Sequence, residues 1–136
     1  ICKGLYATDS DLDYVVSIFN TVGKSVIVEE NQIDVVTAIS GSGPAFFYKI
    51  INEFAKSGEK MGLSYEKSLT LAIQTAIGAG KMASNCKTSM DELISSVATE
   101  GGCTAVGVKS MENNNINEVL FETIRSTATK AGELGK

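Results

Sequence analysis

Residues 61–82 read MGLSYEKSLTLAIQTAIGAGKM, and they decide the fold class. Ser64 offers the hydroxyl of a helix N-cap, and Gly62 suits the left-handed stop of a preceding helix. Beyond Ser64, the residues Leu69, Ala72, Ile73, Ala76, Ile77 and Gly80 recur three and four apart, the spacing of one helical face. Leu71, Ala79, Met82 and Ala83 lie off that stripe. A helix apolar on several faces is expected to be covered on all sides. Ala72, Ala76 and Gly80 recur every four residues, so another helix can approach closely. A chain of 136 residues offers few such sites by itself. A homodimer with intimately packed helices is therefore expected.

Working outward, the helical pattern continues on both sides. Asn31-x-x-Asp34 starts a short helix through Ile39. Pro44 to Lys60 carries Phe47, Ile50, Ile51 and Phe54 on one stripe. Ser89-x-x-Glu92 is a capping-box pattern ahead of Leu93, Ile94 and Val97. Ala105, Val106 and Val108 suggest a helix ending near Asn113, and Asn115-x-x-Glu118 caps the last one. There Leu120, Ile124, Thr127, Ala131 and Leu134 alternate steps of four and three, a bundle seam. From Asn31 onward the expectation is an all-helical bundle with short connections.

The first thirty residues differ. Ser10-x-x-Asp13 resembles a helix cap, and Leu12, Val15, Val16, Phe19 and Val22 follow at helical spacing until Gly23. Val26-Ile27-Val28 has the β-branched composition of a buried strand. A lone strand leaves its N–H and C=O groups unpaired. The segment therefore reads as the last helix–strand unit of a larger parallel sheet, or as a strand that pairs with a second copy.

Composition narrows the function. The chain carries a net charge of −4 and no lysine or arginine cluster, which argues against nucleic-acid binding. No apolar run approaches membrane-spanning length. The start, Ile1-Cys2-Lys3-Gly4, has neither methionine nor an apolar stretch, and reads as a cut end rather than a signal peptide. Cys2, Cys86 and Cys103 are odd in number and scattered, which fits reduced thiols and a cytoplasmic location. Histidine is absent, so no metal site is expected and the commonest general base is missing. Asp9, Asp11 and Asp13 alternate but lack the rest of a calcium loop, and read as charges at a helix start.

Two glycine-bearing turns carry the chemistry. In Thr99-Glu100-Gly101-Gly102-Cys103-Thr104 the glycines allow a sharp turn and close approach to a ligand. The next helix would present unpaired N–H groups and the positive end of its dipole, a site for a carboxylate or phosphate. The plain alternative is a tight helix–helix turn. Thr37-Ala38-Ile39-Ser40-Gly41-Ser42-Gly43-Pro44-Ala45 holds the only proline, expected at the first position of a helix. It has serine where a nucleophile elbow needs glycine, and it lacks the ending of a P-loop.

TAISGSGPAFF (37–47), MGLSYEKSLTLAIQTAIGAGKM (61–82) and SSVATEGGCTAVGV (95–108), in that order and at those separations, closely resemble the C-terminal domain of pyrroline-5-carboxylate reductases. The resemblance runs from about Asp34 to Leu134. The family usually reads Ser-Pro-Gly-Gly where this chain has Thr99-Glu100-Gly101-Gly102.

The resemblance implies a fold that is mainly α. It comprises a helical dimerisation and substrate-binding domain at 31–136, preceded at 1–30 by the tail of a Rossmann-like dinucleotide-binding domain. It implies that the intact protein moves a hydride from NADPH or NADH to the C=N bond of a small cyclic imino acid, giving proline. It also implies a homodimer, with higher rings in some members. Substrate contacts fall on Gly102, Cys103 and Thr104, with Gly101 shaping the turn. Thr104 is the catalytic candidate, meeting the ring nitrogen through a hydroxyl that both donates and accepts. Its plainer role is an N-cap. No Gly-x-Gly-x-x-Gly follows a strand in this chain, so no cofactor is expected on these residues alone. Glu100 either faces solvent or marks a paralogue acting on another imine. A helical assembly module without enzymatic activity is the other class left open.

Overall fold

The structure, a computed structural model, describes Ile1–Gly135. Seven α-helices follow one another among these residues: α1 (Asp9–Phe19), α2 (Ile33–Val36), α3 (Gly43–Lys60), α4 (Tyr65–Asn85), α5 (Met90–Val97), α6 (Cys103–Asn113) and α7 (Ile116–Leu134). By packing, the chain divides into two units, Ile1–Gly43 with Phe121–Lys136, and Pro44–Leu120.

In the first unit, the N-cap of α1 lies two residues earlier than expected. Thr8, not Ser10, is the N-cap, and Thr8 and Asp11 exchange hydrogen bonds as a capping box. Both pairs fit the spacing, and the earlier one wins. Asp9 is thereby left in the first turn, 2.6 Å from Lys3 Nζ. The helix ends at Phe19, with Asn20 as its C-cap, before Gly23 is reached.

The expected strand Val26-Ile27-Val28 does not form; no strand occurs among the described residues. A strand needs a neighbour over its whole length, and this segment finds only one residue. The Ile1 ammonium donates to the Val26 carbonyl at 2.7 Å, and the Val28 N–H donates to the Ile1 carbonyl at 3.0 Å. Those two bonds bracket Ile27 in the manner of a single parallel bridge.

A short 3₁₀ turn, Glu30–Gln32, leads into α2. The helix then widens into a π turn at Thr37–Gly41, closed by the Ser42 N–H donating to the Thr37 carbonyl five residues back at 2.9 Å. Ala38 within it is fully buried. The C-terminal part of α7 completes this unit: a Cβ on Gly132 would stand 2.7 Å from Asp34 Oδ2.

The second unit is built on an α3–α4 hairpin. Pro44 is the second residue of α3, where its missing N–H still has no helical use. The turn after α3 is made by Gly62 at φ +96, which a side chain would strain. There the Gly62 and Leu63 N–H groups close the last carbonyls, Glu59 and Gly58. Ser64 then accepts from the Lys67 N–H, as expected of an N-cap. The two helices touch where Gly58 faces Ser68. Tyr65 also donates across the hairpin to Asn52 Oδ1 at 2.9 Å.

Downstream, Ser89 and Glu92 form the expected capping box of α5. Asn115 stands at φ +57 and ends α6 in the left-handed conformation, so α7 begins directly after it.

Little of this chain is buried within itself. Ala38, Gly43, Ala55 and Ser68 are the buried positions among the described residues. Phe47 is 64% exposed, and Phe54, Leu71 and Phe121 are each 60% exposed. Along α3 and α4 lies an apolar groove of about 370 Å³, lined by Ile50, Phe54, Leu71, Ala72, Ala76 and Ala79.

Candidate functional site

The turn between α5 and α6 belongs to the second unit and is fixed by two local devices. The Gly102 N–H donates to the Thr99 carbonyl at 3.0 Å, and Gly101, the third residue of this four-residue turn, has φ +75. Together these are the marks of a type II turn, whose third position calls for glycine. Glu100 is the second residue, a position that most residues accept and proline favours. Gly102 is required for a different reason. Its φ is −80, but a Cβ there would meet Thr99 Oγ1 at 2.9 Å and the Thr99 carbonyl oxygen at 3.0 Å.

Gly102 is the N-cap of α6, and a glycine has no side chain with which to satisfy the first turn. The first helical bond, Val106 N–H to the Gly102 carbonyl, is long at 3.4 Å. Among the described residues, the N–H groups of Cys103, Thr104 and Ala105 therefore have no partner. They open the helix with the positive end of its dipole behind them. Gly101 and Cys103 are exposed, and Gly102 and Thr104 are half-buried.

The geometry redistributes the residues that the sequence singled out. The Gly102 amide is already used by Thr99, so the free donors are shifted one residue on, to Cys103, Thr104 and Ala105. Thr104 is the second residue of α6 and not its N-cap. Its hydroxyl also has no partner among the described residues. Thr70, Thr127 and Thr129, deeper in their helices, donate back to carbonyls four residues earlier. Thr104 has no helical carbonyl behind it, so its hydroxyl remains available. Sequence reasoning missed Thr99 and Ala105. The signal for both was present: a glycine pair after a threonine implies a turn that closes three residues back and consumes one amide.

The cysteines are free and unpaired with one another. Cys2 Sγ lies 2.9 Å from Glu30 Oε2, and that carboxylate pushes the thiol up from its ordinary range. The Thr88 hydroxyl and N–H beside Cys86 hold its thiol below that range. Among the described residues no group of three or more His, Cys, Asp or Glu could hold a metal ion. Among the described residues no helix is long and apolar enough to cross a membrane.

A family profile described as pyrroline-5-carboxylate reductase dimerisation matches residues 30–134. The chain belongs to the pyrroline-5-carboxylate reductase family. It is 37% identical to the pyrroline-5-carboxylate reductase of Methanosarcina acetivorans over its whole length, covering 50% of that protein. It is 33% identical to the enzyme of Schizosaccharomyces pombe, covering 48%. The chain thus spans about half the length of the curated reductases it matches.

Among solved structures, the pyrroline-5-carboxylate reductase of Coxiella burnetii superposes with a TM-score of 0.93 at 30% identity. That match covers 99% of this chain and 50% of that one. The Plasmodium falciparum enzyme, solved with NADP bound, gives 0.84 at 32% identity, covering 98% and 51%. The helical architecture of this chain is therefore that of the reductase family's dimerisation region.

Proposed function

We propose that this chain is the substrate-binding and dimerisation half of a reductase that converts pyrroline-5-carboxylate to proline. The observation that carries the reading is the start of α6, where three free amides and one free hydroxyl follow a left-handed glycine. The substrate's carboxylate rests on the N–H groups of Cys103, Thr104 and Ala105, with Gly101 and Gly102 shaping the turn. The Thr104 hydroxyl meets the ring nitrogen. It accepts from the protonated imine, and it can donate once the nitrogen has gained its electron pair.

Hydride addition at the C=N carbon sends the double-bond pair onto nitrogen, and the cationic imine becomes a neutral amine. That chemistry asks mainly for positioning, so a site without histidine suffices. Reduced nicotinamide supplies the hydride. Residues 1–135 contain no glycine-rich turn of the phosphate-binding type after a strand, so no residue of this chain is assigned to the cofactor. We assign residues 1–30 to the end of a dinucleotide-binding domain and 31–136 to the helical domain. The family profile beginning at residue 30 supports that boundary.

The exposed stripes of α3, α4 and α7 are covered by a second copy in a homodimer, or by further copies in a higher assembly. A related imine reductase with another substrate is the second reading. Glu100, a charge in the binding turn, favours it.

The test is nicotinamide oxidation by the full-length protein on pyrroline-5-carboxylate, with light scattering on the same sample. Turnover by a dimer or larger particle is expected. A stable monomer, or no turnover on any cyclic imine, would refute the reading.

A further inference from the structure

We draw no further inference here: the strongest candidate, the apolar groove along α3 and α4 that Phe54, Leu71 and the buried, unpartnered Ser68 line, belongs to the face already assigned to a second copy, and nothing in the structure shows another occupant.

Discussion

Replacing Gly58 by alanine should destabilise the protein, although alanine is the better helix former. Gly58 lies inside α3, where the exchange alone would favour the helix by about 1 kcal/mol. The new Cβ, however, would stand 2.9 Å from Ser68 Cβ, and closer still to Ser68 Oγ. Ser68 is 6% exposed on α4 and its hydroxyl has no partner, so rotating that hydroxyl away relieves only part of the clash. The remaining Cβ–Cβ contact needs about half an ångström more room to reach ordinary van der Waals distance, which only a shift of the helices can provide. Overpacking of this kind costs about 1–3 kcal/mol.

The net loss should be up to about 2 kcal/mol, or a fall in Tm of up to several degrees for a chain this size. Ser68→Gly in the same background removes both clashing atoms. It should recover most of the penalty, with a coupling of at least about 1 kcal/mol in the double-mutant cycle. Thermal denaturation of the four proteins at one concentration provides the measurement. A Gly58→Ala protein melting at or above the wild type, or additive effects in the cycle, would refute the close crossing of α3 and α4.

Three further outcomes follow from the same geometry. Thr104→Ala should lower turnover on a cyclic imino acid at least tenfold and leave Tm nearly unchanged, because Thr104 caps nothing; steady-state kinetics beside melting curves decide this. Gly101→Ala should cost about 1–2 kcal/mol, because its φ of +75 is strained for any side chain, and should raise KM more than it lowers kcat by moving the free amides. For Glu92, hydrogen bonds from the Ser89 backbone and hydroxyl hold the carboxyl below its usual range. Its stabilisation is thus complete above the unfolded value near pH 4.3 and is lost as pH falls through the lower folded one. Glu92→Gln should lower the neutral plateau of a Tm–pH curve towards its acid value and flatten the acid side, as read by calorimetry from pH 7 to 3.

The helices were legible where local rules govern them. Ser64, Gly62 and the Ser89–Glu92 box each act within a few residues, and each does in the structure what its spacing announced. The start of α1 was misplaced because Thr8-x-x-Asp11 and Ser10-x-x-Asp13 satisfy the same rule. No strand forms at Val26–Val28 among the described residues, because a strand requires neighbours and the expectation placed them in a larger sheet, not in this chain. The π turn at Thr37–Gly41 has no residue signature, since it differs from an α-helix only in which carbonyl is bonded. At the α6 turn, a sharp turn and free amides followed from Gly101-Gly102. Which amides are free did not, because that depends on one hydrogen bond to Thr99.

The scarcity of buried positions bears on how the molecule comes into being. A protomer that hides little more than Ala38, Gly43, Ala55 and Ser68 gains little by folding alone. If the stripes of α3, α4 and α7 are covered by a second copy, the step that secures the structure is a collision between two half-formed chains. Refolding should then speed up as the protein is made more concentrated, unlike the recovery of a self-sufficient domain. A newly made chain would have to find its twin before its exposed phenylalanines find something else.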